Sequence, residues 1–180
     1  MDKKTLRRKI LNLRNESDRC FRERADEQIF KSLVSDPNIK KAKTVMTYVS
    51  MGSEPDTHRL INRLLAEGKN VCVPVVAGRE LDISYISSMD DLESGSYEIL
   101  EPKKTAFRRC EPEDIDVFIV PAVAFDKNNH RIGYGAGFYD RLLPGTRGIK
   151  IGVCYSFCMV DNVCPEPHDR RVDYIITDLE

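Results

Sequence analysis

Apolar residues at Leu6, Ile10 and Leu13 return once per helical turn, which predicts a helix from Lys3 to about Arg14. Asn15 and Glu16 interrupt it. Ser17 then offers an N-cap for a second helix carrying Phe21, Ala25, Ile29 and Leu33 one turn apart, and Asp36-Pro37-Asn38 stops it. The period changes after that point. Thr44 to Ser50 reads as a buried strand, and a helix from Asp56 to Glu67 follows, with Leu60, Ile61, Leu64 and Leu65 inward and Gly68 as its stop. Val71 to Val76 is the next strand, so strand, helix and strand form a βαβ unit with parallel strands and a right-handed crossover. Leu81 to Ile86, Val117 to Val120, Ile149 to Val153 and Val172 to Ile176 add further strands, several of them almost unbroken apolar runs of the kind parallel sheets bury on both faces. The pattern predicts an α/β protein: a single three-layer domain over residues 1–180, a mostly parallel sheet flanked by helices, with the first two helices as a lid or flank. Ser88 to Pro112 lacks periodicity and is expected to hold short turns and connections.

A sheet of this kind takes its ligands beyond the carboxyl ends of its strands, and the densest chemistry falls in such a connection. Asn128 to Arg141 reads NNHRIGYGAGFYDR, with glycine at every second position from Gly133 to Gly137. Glycines let a ligand approach the backbone, and amide groups in such a loop, followed by a helix start, suit phosphate oxygens. Arg131 and Arg141 flank the loop, and Asp140 supplies a hard oxygen ligand for Mg²⁺ on a phosphate chain. A tight turn built only for packing is the simpler alternative. The spacing is neither that of a Walker loop, which needs a Lys-Ser or Lys-Thr, nor that of a dinucleotide fold, because the third glycine comes one residue early. Glu54 follows the Thr44 to Ser50 strand, and Asp173 sits in the last strand near His168 and Asp169, so the strand ends are expected to gather one site. Taken singly, Glu54 could cap the next helix and Asp173 could be a salt-bridged strand residue.

A chain of 180 residues supports one sizeable core, and 41% hydrophobic with 32% charged residues is ordinary for a globular protein. The net charge of -1 gives no footprint for nucleic acid or an anionic membrane, although Lys3, Lys4, Arg7, Arg8, Lys9 and Arg14 make the first helix locally basic. No apolar run approaches the roughly 18 residues a membrane span needs, and no secretory signal follows the basic start, so a cytoplasmic protein is expected. Its 6 cysteines lack a Cys-x-x-Cys pair and read as reduced thiols. Cys154, Cys158 and Cys164 crowd together, but a zinc site with His168 would have an uncommon spacing.

These residues together resemble the 5-formyltetrahydrofolate cyclo-ligase (methenyltetrahydrofolate synthetase) family. The likeness rests on Lys3-Lys4-Thr5-Leu6-Arg7, Ser50 to Thr57, Pro121 to Asp126, Arg131 to Arg141 and Arg171 to Thr177, in order and end to end, with the glycine loop closing in Tyr-Asp-Arg as its most specific part. The resemblance implies an ATP- and Mg²⁺-dependent enzyme that cyclises 5-formyltetrahydrofolate to 5,10-methenyltetrahydrofolate and releases ADP and phosphate. The formyl oxygen is phosphorylated and N10 then attacks the activated carbon, a scheme needing positioning and charge neutralisation more than a side-chain nucleophile. It further implies that Lys3, Lys4, Thr5, Leu6 and Arg7, with Arg131, Ile132, Gly133, Tyr134, Gly135, Ala136, Gly137, Phe138 and Tyr139, contact ATP. Arg7, Val49, Glu54 and Tyr134 to Phe138 would contact the folate, Asp140 and Asp173 would hold Mg²⁺, and Arg7, Glu54, Arg131 and Tyr139 would carry the catalysis.

Some family members have a basic residue where this chain has Tyr134 and Ala136, so charge facing the triphosphate must come from Arg131, Arg141, Lys3 or Arg7. Phe138 stands where tyrosine is frequent, which removes a hydroxyl. A non-catalytic module for nucleotides or sugar phosphates is the rival reading; it would need the glycine loop but not Glu54 or a pair of metal ligands. The expected partner is a small molecule, with no nucleic acid and no membrane. A monomer is the default, since nothing in the sequence fixes the oligomeric state.

Overall fold

Short segments whose every position is apolar can be buried on both faces, and these become the middle strands of the sheet. The structure is a computed structural model and describes residues 2–95 and 99–179. Its elements in chain order are α1 (Lys3–Glu16), α2 (Arg19–Ser35), α3 (Pro37–Lys41), β1 (Thr44–Thr47), α4 (His58–Ala66), β2 (Asn70–Ala77), β3 (Glu80–Ile86), β4 (Leu92–Ser94), β5 (Leu100–Pro102), β6 (Val117–Pro121), β7 (Ala124–Asp126), β8 (Arg131–Ile132), α5 (Phe138–Leu142), β9 (Ile149–Val153), β10 (Met159–Val160) and β11 (Tyr174–Ile176). The main sheet runs β11-β9-β6-β1-β2-β3, parallel throughout except for β3, which folds back antiparallel on β2. A smaller sheet, β10-β7-β8, and the β4-β5 hairpin complete the set.

The expected βαβ unit is β1-α4-β2. Leu60, Ile61 and Leu64 of α4 are buried, and Gly68 ends the helix with φ of 74°. Lys69 N–H donates to Leu64 O and Gly68 N–H to Leu65 O, the paired 6→1 and 5→2 bonds of a Schellman stop. The segment expected to be irregular instead contains β4 and β5, whose residues 96–98 lie outside the described part.

The N-terminal helices depart from the pattern in an informative way. Asn15 and Glu16 continue α1, Ser17 closes it by donating Oγ–H to Arg14 O, and Asp18 caps α2 by accepting from Phe21 N–H. The buried face of α1 is Leu6, Ile10 and Arg14, while Leu13 is 45% exposed. A guanidinium thus replaces a leucine in the buried stripe because it has hydrogen-bond partners waiting inside. Asp36 stops α2 and caps α3, accepting from Asn38 and Ile39 N–H.

Carboxylates pin the amino edge of the sheet. Asp116 accepts from Lys43 and Thr44 N–H where β1 begins, and Asp173 accepts from Lys150 N–H beside the start of β9, at 2.7 Å. The strand expected from Val172 begins at Tyr174, so Asp173 precedes β11 rather than lying in it. Behind the carboxyl edge, Phe125 of the small sheet packs on Gly152 of β9 so closely that a Cβ there would lie 2.6 Å from its ring.

Candidate active site

A cleft of about 740 Å³ opens at the carboxyl edge, between the ends of β1 and β6, the face of α1, the glycine loop, the β2-β3 wall and the segment around Glu166. Its size suits a cofactor- or drug-sized ligand.

The turn after β1 is closed by local bonds. Thr57 Oγ1–H donates to Tyr48 O, Ser50 N–H donates to Thr57 Oγ1, and Thr57 N–H donates to Ser50 Oγ. Asp56, not Glu54, serves the start of α4, accepting from His58 and Arg59 N–H. Glu54 is therefore free to face the cleft, where Oε2 accepts from Met51 N–H at 3.0 Å and Oε1 from the Tyr134 hydroxyl at 2.5 Å.

The glycine loop reaches the cleft through the β7-β8 hairpin. Asp126, 1% exposed, accepts from Asn128 and His130 N–H and so tightens the turn that returns the chain as Arg131 and Ile132. Gly135 with φ of 113° and Gly137 with φ of 69° take backbone conformations that side chains disfavour, and Gly137 caps the short α5. Arg7 Nε donates to Gly133 O at 2.7 Å, tying α1 to the loop.

Cations converge here, and Lys3 and Arg131 are already paired with carboxylates. Lys3 Nζ donates to Asp169 at 2.5 Å and Glu166 at 2.8 Å; burial opposes its charge, yet these bonds raise its pKa. Burial also works against the Asp169 carboxylate, but the Lys3 ammonium and the Glu166 N–H bring it below the usual range. The Arg131 guanidinium, pulled down by burial and sustained by Asp140, pairs with Asp140 Oδ1 at 2.7 Å, and the same oxygen accepts from Arg170 N–H. Two polar atoms in the wall are buried and lack a hydrogen bond among the described residues: Arg131 Nε and the Tyr139 hydroxyl. Buried polar groups are nearly always satisfied, so both suit contact with a ligand.

The cleft gathers Lys3, Arg7, Val49, Glu54 and the run Arg131, Ile132, Gly133, Tyr134, Gly135, Ala136, Gly137, Phe138, Tyr139 and Asp140. Others named from the sequence lie elsewhere. Lys4 and Thr5 are exposed, and Leu6 is core. Arg141 turns away to Arg79 O and Ala136 O, with Glu80 as its ion-pair partner. Asp173 is not in the cleft wall; its Oδ2 accepts from Lys150 N–H at the amino edge of the sheet. Cys154 and Cys158 are buried and Cys164 is exposed, while the group with metal-ligating geometry among the described residues is Glu166, His168 and Asp169. Sequence reasoning missed Glu166 and the buried Arg14; their signals were the Pro-flanked acidic run Pro165-Glu166-Pro167-His168-Asp169 and an arginine two turns past Leu6 on its face.

A mostly parallel sheet with a glycine loop and two part-buried cation-carboxylate pairs in one cleft at its carboxyl edge defines an α/β protein with a candidate ligand site there. The model of the 5-formyltetrahydrofolate cyclo-ligase family matches residues 1–178. A cyclo-ligase from Escherichia coli K12 is 31% identical over 158 residues, covering 84% of this chain and 86% of its own. One from Mycoplasma pneumoniae is 31% identical over 181 residues and 99% of both chains. The solved 5,10-methenyltetrahydrofolate synthetase of Aquifex aeolicus superposes with a TM-score of 0.90 at 36% identity over 100% of this chain and 91% of that one. The Mycoplasma pneumoniae synthetase structure gives 0.79 at 29% identity over 99% of each. The chain belongs to the 5-formyltetrahydrofolate cyclo-ligase family, and it is an enzyme.

Proposed function

We propose that this chain converts 5-formyltetrahydrofolate to 5,10-methenyltetrahydrofolate at the cost of ATP and with Mg²⁺. The observation that carries the reading is that a single cleft is lined by Glu54 and Val49 together with Lys3, Arg7, Arg131 and the glycine loop, with Glu54 held by Tyr134 of that loop. At the loop, backbone amides and Arg131 Nε receive phosphate oxygens. Beside Tyr134, Glu54 accepts paired N–H donors from the pterin, with the apolar Val49 in the same wall.

The chemistry then needs the γ-phosphoryl group close to the formyl oxygen. Transfer makes that oxygen a leaving group, N10 of the folate attacks the formyl carbon and gives up its proton, and the C–O bond breaks to release phosphate as the ring closes. No thiolate or hydroxyl nucleophile is required, and the protein's part is to align the reactants and balance charge. The buried Tyr139 hydroxyl, without a hydrogen-bond partner among the described residues, lies in the wall where it can donate to the reacting substrate.

The residues present fit Mg²⁺. Lys3 and Arg131 are neutralised by Glu166, Asp169 and Asp140, so an entering triphosphate meets carboxylates beside each cation. Asp140 and Asp169 offer hard carboxylate oxygens of the kind a divalent ion such as Mg²⁺ takes, and they would hold it. When bound, it supplies charge neutralisation for the transferring phosphoryl group.

The test is the absorbance rise of methenyltetrahydrofolate, with ATP and Mg²⁺ each omitted in turn. Product should form only with both. Formation without ATP would refute the phosphorylation scheme, and no formation with both present would refute the reading.

A further inference from the structure

Arg14 has no place in the reaction just described, yet it is 3% exposed on a helix face otherwise made of Leu6 and Ile10. Burying a guanidinium is costly unless its donors are used. They are used, on three different segments. Nε donates to Ser53 Oγ at 3.2 Å in the turn after β1, Nη1 to Ala122 O at 3.4 Å between β6 and β7, and Nη2 to the Tyr134 hydroxyl at 2.5 Å in the glycine loop.

The last of these bonds settles a proton. Arginine can only donate, so the Tyr134 oxygen accepts from it and must give its own hydrogen elsewhere. That hydrogen goes to Glu54 Oε1 at 2.5 Å. Ser53, the residue before Glu54, is held by the same guanidinium and passes its own hydroxyl proton to Asn15 Oδ1. The carboxylate is thereby fixed from both ends: its backbone through Ser53, its oxygen through Tyr134. The guanidinium carbon also lies 5.5 Å from the Tyr134 ring centre, which keeps the ring over the arginine.

We propose that Arg14, at the cleft wall, is a positioning residue that acts through the Tyr134 hydroxyl to fix the direction in which Glu54 meets the substrate, and so sets folate affinity. The inference rests on the reading that Glu54 holds the pterin. Arg14 and Tyr134 act in series on Oε1, so removing either link loosens that oxygen while Oε2 keeps the Met51 N–H, and removing both loosens it no further. The nucleotide end does not depend on this chain of bonds, because Lys3, Arg131 and the Arg7 contact to Gly133 are anchored separately.

The experiment uses Tyr134→Phe, Arg14→Lys and the double variant. Each is titrated with 5-formyltetrahydrofolate and with a non-hydrolysable ATP analogue, and steady-state constants are measured beside them. Tyr134 is half exposed and loses only its hydroxyl, so this variant folds and carries the test if Arg14→Lys does not. Each single variant should weaken folate binding about tenfold, the scale of a lost hydrogen bond to a charged group. The change should fall on KM for folate more than on kcat, the double variant should be no worse than the poorer single one, and nucleotide affinity should stay within about twofold. Unchanged folate affinity in Tyr134→Phe, losses that add in the double variant, or an equal loss for nucleotide would overturn the inference. A parent chain that binds nucleotide but no folate overturns the proposed function as well, whereas a parent that binds folate beside unaffected variants overturns this inference alone.

Discussion

Asp140 and Asp173 look equivalent as acidic residues in matching motifs, and their surroundings separate them. Asp140 lies in the cleft wall with Oδ1 engaged by Arg131 and Arg170, whereas Asp173 closes the amino edge of the sheet on Lys150 N–H. Asp140→Asn should therefore abolish turnover and its response to added Mg²⁺, and it should also lower the melting temperature, because the buried Arg131 guanidinium loses its charged partner. Asp173→Asn should keep the Mg²⁺ response and lower the melting temperature, since an amide oxygen accepts the Lys150 N–H less strongly than a carboxylate. Magnesium titrations of activity on the two variants, with thermal melts, check both; loss of the Mg²⁺ response in Asp173→Asn would return that residue to the metal. At Lys3 the issue is charge. Lys3→Ala leaves Glu166 and Asp169 beside the phosphate site uncompensated, so affinity for an ATP analogue should fall by about tenfold or more, most steeply at low salt. Calorimetry at two ionic strengths reads this, and unchanged affinity at both would remove Lys3 from the nucleotide site.

At the level of elements, strands and helices were legible where one period ran unbroken. Ile149–Val153 forms β9 with the bounds its apolar run gives, and α4 stops at Gly68 as its composition dictates. Boundaries shifted where a side chain had two possible employers: Ser17 could cap α2 but closes α1, and Thr57 turns back to Tyr48 instead of capping α4. Arg14 shows why part of the site was hidden, because periodicity counts an arginine as surface and its partners Ser53, Ala122 and Tyr134 are remote in sequence. Two packing consequences follow. Gly152→Ala puts a methyl group into the buried Phe125 ring and should destabilise the chain by about 1 to 3 kcal/mol, read by urea unfolding; a neutral result would mean the small sheet can shift. Asp26 on α2 is raised above the ordinary carboxylate range by burial, despite bonds from Asp56 N–H and the Tyr155 hydroxyl. A raised pKa means its stabilising share is full below the unfolded value of about 3.9 and is lost as pH rises through the folded value. Asp26→Asn keeps both acceptor bonds without the charge, so it should raise the melting temperature at pH 7 and not at pH 3. A lower melting temperature at pH 7 would contradict this.

Across the whole molecule, the parallel order β11-β9-β6-β1-β2 aligns every carboxyl end on one edge, which is why residues as far apart as Lys3, Glu54, Arg131 and Asp169 share a cleft. The glycine loop and Glu54 could be read from the sequence because each follows a recognisable strand, while the acidic group Glu166 to Asp169 arrives through an irregular segment that no period announces. Among the described residues no helix is long and apolar enough to cross a membrane. The central claim is that one cleft takes folate through Glu54 and a nucleotide through the loop amides and the cations beside them. It is tested most directly by titrating the parent and Glu54→Gln with 5-formyltetrahydrofolate and with a non-hydrolysable ATP analogue. Glutamine keeps the size and loses the charge, so folate binding should weaken by about 1.5 to 3 kcal/mol, one to two decades, while nucleotide binding holds. A variant that loses nucleotide affinity with folate affinity untouched, or a parent that binds no folate, would contradict it and leave a phosphate-binding module as the better description.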